Sequence, residues 1–275
     1  MCKLHSLKKK IVNIVVNVSI WVFSLTFLLP VLWTLRTALL PEHLVYALPP
    51  AFSPLTLGNF FKVLSGPFGN AFKNSFIAAS SVVLIGLPIA AGLGYAMARF
   101  RLGGHLLRFS VLATQVLPPV IIALPLFVLL RQFRLSGTLY GLMLAYLALT
   151  LPFMSWLLMG FFSKFPRELE EAALVDGANY YNIFIRIVLP LASPGLFAAG
   201  ILGFLLAWNE FLFALLITGR ASQTIPVALS TFITQRGVLY SQVAAGVILS
   251  ILPVALLARL VDRYLVEGLT LGAIK

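Results

Sequence analysis

Acidic residues are scarce in this chain, and cysteine and histidine are nearly missing. Of 275 residues, 8 are Asp or Glu, 1 is Cys and 3 are His. A single cysteine excludes a disulfide within the chain and any cysteine-built metal site. The histidines (His5, His43, His105) stand far apart and no H-E-x-x-H occurs, so no metal site is expected. No Lys follows a Gly, which removes the G-K-[ST] phosphate loop, and G-x-S-x-G is absent too. If the protein uses ATP, another chain binds it. Nothing here pairs catalytic groups, so an enzyme is not expected.

Charge as a whole is also lacking. Only 10% of residues are charged, against about 25% in soluble domains. With 60% hydrophobic residues and a mean hydropathy of +1.01, the chain belongs in a lipid bilayer. The net charge of +12 sits at the ends of apolar segments, the ordinary pattern of basic residues flanking membrane spans. Nucleic acid is therefore not an expected partner.

Lys3, Lys8, Lys9 and Lys10 precede an apolar run over about 11–32. It is longer than a signal-peptide core and lacks a small-residue cleavage site, so it reads as a retained first span. Residues 36–71 carry Pro49-Pro50, Pro54 and Gly66-Pro67, and Phe52, Phe60 and Phe61 suggest a loop packed on the protein. Further runs near 75–98, 106–130, 138–162, 194–217 and 242–262 are long enough to cross the hydrocarbon layer as helices. The expected fold is all-α, one membrane domain over 1–275 with six spans, both termini on one side.

Charge selects that side. The two termini, the 99–108 turn and the 163–190 loop hold 13 Lys and Arg, and the opposite loops hold 7, which places termini and loop in the cytoplasm. Arg131 and Arg134 run against the trend. Several spans contain Pro or Gly (Pro88, Gly92, Gly94; Pro118, Pro119, Pro125; Pro152). Such interruptions suit helices lining a path, and equally suit simple kinks.

The acids that exist are concentrated. Glu168, Glu170, Glu171 and Asp176 fall within nine positions of the loop 163–190. Pro166 suits the first turn of a helix, and the glutamates then lie at the positive end of its dipole. Leu169, Ala172 and Ala173 make a small apolar face, and Gly177 lets the chain leave the helix left-handed. A second amphipathic stretch, Tyr180 to Val188, leads to Pro190 and the fifth span. A loop lying on an anionic membrane surface would present Lys and Arg. Acids point instead to a protein partner.

The spacing E-A-A-x3-G-x9-I-x-L-P is matched by Glu171, Ala172, Ala173, Gly177, Ile187, Leu189 and Pro190. It resembles the signature loop of permease subunits of bacterial ABC importers. F-P-x-E-L before it, D-G-A within it, L-P-P-V-I-I-A-L-P-L-F, W-N-E-F at 208–211 and G-L-T-x-G-A at 268–273 resemble the MalG-like, carbohydrate-importing branch. The likeness runs from about residue 70 to the end. Arg134, just before Leu135, stands where a glycine is expected. The resemblance implies a MetI-like permease fold whose loop is a coupling helix docked on a separate ATPase subunit. Glu170, Glu171, Ala172, Ala173, Asp176, Gly177, Ile187, Leu189 and Pro190 would then be the coupling residues. It further implies a bacterial inner-membrane assembly of a second, related permease, two ATPase subunits holding ATP and Mg, and an extracytoplasmic solute-binding protein. No cofactor is expected on this chain.

Glu210 is the one acid well inside an expected span, beside Asn209. An ionisable group there suggests a sugar-binding or gating role, or a buried Glu that holds helices together. Gln115 and Asn74 are further candidates for the substrate path, and Trp208 reads as packing. A secondary transporter or channel is the alternative; it would favour inverted repeats and more midplane acids, and neither is evident.

Overall fold

The computed structural model describes residues 2–100, 104–234 and 237–270, with side chains for 12–100, 104, 106, 108–233 and 237–259. Arg101, Arg236 and Lys275 of the charge count lie outside the described residues, as do residues 271–273 of the G-L-T-x-G-A stretch. Apart from one short hairpin, the described residues form helices and their connections. In lipid no water satisfies the backbone, so runs rich in Val and Ile become helices despite their weak propensity. Contacts divide the chain into two units, 1–66 with 232–249 and 67–231 with 250–275.

In the first unit, α1 (Cys2–Leu39) has every side chain from Val12 to Trp33 exposed. It is apolar all round, as expected of a helix surrounded by membrane or by another subunit. After it come one 3-10 turn (Glu42–Leu44), α2 (Gly58–Ser65), the hairpin β1 (Ile233–Thr234) and β2 (Gly237–Val238), and the start of α14 (Tyr240–Thr270). The 36–71 loop is held differently from the expectation. Phe52 and Phe61 are exposed; buried Asn59 donates to Ala38 O and Leu40 O, both at 2.8 Å. Arg36 Nε donates to Ala51 O, and its guanidinium covers Trp33 and Phe52. Glu42 caps α14 by accepting from Tyr240 N and Ser241 N.

In the second unit, α3 (Pro67–Ser81), a wide π turn (Val82–Gly86) and α4 (Leu87–Arg99) form one continuous run. Next are α5 (Gly104–Val116), α6 (Pro119–Gln132) and α7 (Leu139–Phe162). The polar loop carries α8 (Glu168–Val175), α9 (Tyr180–Ile183), a second π turn (Phe184–Val188) and α10 (Leu189–Leu191). Then come α11 (Ser193–Trp208), α12 (Leu212–Ile217), α13 (Ile225–Ser230) and the rest of α14. Both π turns end two residues before a proline, Pro88 and Pro190. A proline ring collides with the carbonyl four residues back, and a wider turn relieves the collision. Buried alanines (Ala78, Ala79, Ala90, Ala91, Ala145, Ala199) let the helices approach closely. At the α4–α7 seam a Cβ on Gly94 would lie 2.9 Å from Ser155 O and 3.0 Å from Met159 N.

Among the described residues, four helices are long and apolar enough to cross a membrane: Val12–Leu39, Pro67–Arg99, Leu139–Phe162 and Tyr240–Arg259. Two bent pairs raise the number to six if each is one span. The expected third span, 106–130, is bent by 100° between Arg108–Val116 and Pro119–Gln132, because Pro118 is held extended by the proline after it. The expected fifth span, 194–217, ends at Trp208 and resumes at Leu212. Its start also differs. The chain turns by 78° after Leu191, so Pro190 lies in the preceding helix and Pro194 occupies the first turn of α11.

Candidate docking surface on the polar loop

Helix α8 begins at Glu168, two residues after Pro166, with Arg167 at its cap position. Glu168, Glu171, Ala172 and Val175 recur at i, i+3, i+4 and i+7 and all four are exposed, Val175 by 88%. They form one stripe of acid and small apolar side chains. Glu168, Glu171 and Asp176 make no ion pair among the described residues. Leu169 is exposed beside the stripe and Ala173 is half-buried.

The helix closes with a two-bond cap. Ala178 N donates to Ala173 O and Gly177 N to Leu174 O, both at 3.0 Å, with Gly177 at φ +82°. Nothing lies within 4 Å of a Cβ placed on Gly177, so its constraint is conformational alone. Asn179 then caps α9 by accepting from Asn182 N at 2.8 Å. Ile187 and Leu189 are half-buried and Pro190 is exposed, on the segment that leaves the loop.

Glu170 faces the other way. It is 8% exposed, and its carboxylate accepts from Arg99 Nε at 2.6 Å and from Tyr95 OH at 2.7 Å. Arg99 Nη2 also donates to Phe165 O at 3.0 Å. The Tyr95 ring meets Phe100, Phe162 and Phe184 with centroids 5.0–5.9 Å apart. The structure thus sets Glu171, Ala172, Asp176 and Gly177 on a free surface and turns Glu170 into the bundle. Sequence reasoning missed Tyr95 and Arg99. Their i, i+4 spacing at the basic end of an apolar helix was visible, but nothing marked a partner 71 residues away.

The candidates for a substrate path are not gathered into one site. Asn74 Nδ2 donates to Ala221 O and Gln223 O. Glu210 caps α12, accepting from Phe213 N at 3.0 Å and Ala214 N at 3.1 Å. Asn209 Nδ2 bonds back to Leu205 O. The Gln115 side chain alone of the four makes no hydrogen bond among the described residues; with Thr114, Ala145 and Phe213 it lines a cavity of about 140 Å³. Trp208 is packing, stacked on Phe204 and donating to Ser250 O. A cavity of about 850 Å³ elsewhere in this unit is walled by Phe72, Phe76, Leu84, Phe197 and other apolar residues, and offers little to a polyhydroxyl ligand.

Residues 83–268 match the family described as binding-protein-dependent transport system inner membrane component. The trehalose/maltose transport system permease protein MalG of Thermococcus litoralis is 35% identical over 90% of this chain and 91% of its own. The trehalose transport system permease protein SugB of Mycobacterium tuberculosis is 35% identical over 90% and 92%. The sulfoquinovosyl glycerol transport system permease protein SmoH of Agrobacterium fabrum is 34% identical over 90% and 89%. Among solved structures, a chain of a bacterial ABC transporter involved in the import of alginate, an acidic polysaccharide, superposes with a TM-score of 0.78 at 22% identity, over 93% of this chain and 96% of that one.

Proposed function

From the premise that the chain belongs to the binding-protein-dependent transport system inner membrane components, and so is a membrane-spanning permease subunit, we propose how it is driven and what it admits. It forms half of the translocation path for a sugar or related polar solute, such as an oligosaccharide, polyol or glycerophosphate. A second, related permease forms the other half. Two separate ATPase subunits supply the drive and hold the ATP and Mg, and an extracytoplasmic binding protein delivers the solute. Both termini and the 163–190 loop face the cytoplasm of the plasma (inner) membrane.

The observation that carries this reading is the exposed stripe Glu168, Glu171, Ala172, Val175 on a helix anchored by its opposite side. Small side chains admit close approach, apolar ones reward burial, and unpaired carboxylates select a partner with cations. The named transport of trehalose, maltose and sulfoquinovosyl glycerol by relatives supports the carbohydrate class.

The test is gentle detergent purification of the tagged protein, with mass spectrometry of what accompanies it. An ATPase and a second permease are expected with the unaltered chain. Combining Glu171→Lys with Gly177→Pro is expected to release the ATPase and keep the second permease. An ATPase that stays with this variant removes the docking assignment.

A further inference from the structure

The run Pro67–Arg99 spans 33 residues, about 50 Å at the rise of an α-helix, and is tied to a loop at each end. At the Arg99 end, Arg99 and Tyr95 hold the Glu170 carboxylate, and Arg99 also holds the Phe165 carbonyl. The approach to α8 and its first turn are therefore gripped by one side chain. At the Pro67 end, Asn74 Nδ2 donates to Ala221 O and Gln223 O at 3.0 and 2.9 Å, and Ser75 Oγ accepts from Ile225 N at 2.9 Å.

We propose that this run is the transmission element of the subunit. Tyr95, Arg99 and Glu170 pass displacement of α8 to it, and Asn74 and Ser75 deliver that displacement to the 219–225 loop. All five are positioning residues, and the assignment rests on the reading of α8 as the ATPase-docking helix. The physical reason lies in burial. Separating Glu170 from Arg99 would strand a buried charge, so α8 and the end of α4 move together and do not slide. Tyr95 is itself buried among the rings of Phe100, Phe162 and Phe184, so breaking its bond to Glu170 would leave a buried hydroxyl unpaired. Close packing at Gly94 makes α7 move with α4 at the same seam. Glu170 and Glu171 thus take separate roles: the first transmits, the second docks.

The experiment reads the far end directly and needs no solute. In a Cys2→Ser background, Lys73→Cys carries an environment-sensitive fluorophore on the exposed side of α3. The complete complex is purified, and the fluorescence change on adding ATP with vanadate is measured with the triad intact and with Arg99→Gln plus Glu170→Gln. Removing both charges leaves neither one unpaired in the interior, so this pair folds where a single change could fail; a thermal unfolding scan verifies it. The expected result is a response reduced at least fivefold, with the same amount of ATPase recovered. Arg99→Lys, which keeps the charge, is expected to restore at least half of the response. An undiminished response, or none with the triad intact, overturns the proposal. Loss of the ATPase with the charge-free pair also overturns it, by making Glu170 a docking residue. If no ATPase accompanies the unaltered chain, it is the proposed function that fails.

Discussion

The two faces of α8 carry the same residue type to opposite ends. Glu171 stands exposed without an ion pair among the described residues, in a stripe with Ala172 and Val175. Glu170, one position earlier, is buried against Arg99 and Tyr95. A rotation of about 100° per residue separates them. On the outer face a carboxylate keeps its hydration until a partner arrives. On the inner face it has lost that hydration already and depends on a cation inside the chain. Changes on the outer face should therefore alter what the protein binds, and changes on the inner face should alter whether the loop holds together.

The largest effect tests this contrast through stability. Arg99→Leu leaves Glu170 buried and unpaired, a loss of about 3–5 kcal/mol. Glu171→Gln should stay within about 0.5 kcal/mol of the unaltered protein. Unfolding in detergent measured by intrinsic fluorescence separates the two, and equal losses would erase the distinction between faces. Gly94→Ala comes next, because the added Cβ would meet backbone atoms of Ser155 and Met159 that cannot swing aside. Its cost is about 1–3 kcal/mol in the same assay, and it should loosen the inner face without touching the outer one. Gly177→Ala is smaller, about 1 kcal/mol, since it strains only a left-handed backbone at φ +82°.

Arg134 supplies the smallest and most instructive change. It caps α6 as Gly177 caps α8: Leu135 N donates to Leu130 O and Arg134 N to Arg131 O, with Arg134 at φ +58°. The position where a glycine was expected has the backbone of one. Arg134→Gly should raise stability by about 0.5–1 kcal/mol, and a drop on thermal unfolding would mean that the guanidinium has a role of its own.

Much of this was legible in the residues. The expected span 138–162 is α7 (Leu139–Phe162), and the acid-rich segment closing at Gly177 is a helix. Both carry local signals: an unbroken apolar run, and glutamates, alanines and a glycine in capping order. The break at Asn209–Phe211 was not legible, because no Pro or Gly marks it. There the Asn209 side chain competes for Leu205 O, and the Glu210 carboxylate starts a new helix. Glu210 therefore stood out as an acid within a span, whereas its local work is to cap α12. The Glu170–Arg99 pair was hidden for another reason. Spacing along one helix reveals its faces, but which face turns inward depends on a segment far away in sequence. The π turn before Pro88 escaped because a proline in an apolar run reads as a kink until the wider turn that absorbs it is seen, and Pro190 read as the entry to the fifth span, which hid the second.

The most direct measurement compares two variants in one purification. Glu171→Lys, and Arg99→Gln together with Glu170→Gln so that neither charge is left buried alone, are introduced into the tagged chain, and the ATPase recovered per permease is quantified by mass spectrometry. The expected result is at least a tenfold loss for Glu171→Lys and recovery within twofold of normal for the charge-free pair. Retention of the ATPase by Glu171→Lys, with its loss from the charge-free pair, would contradict the division of α8 into a docking face and a transmitting face.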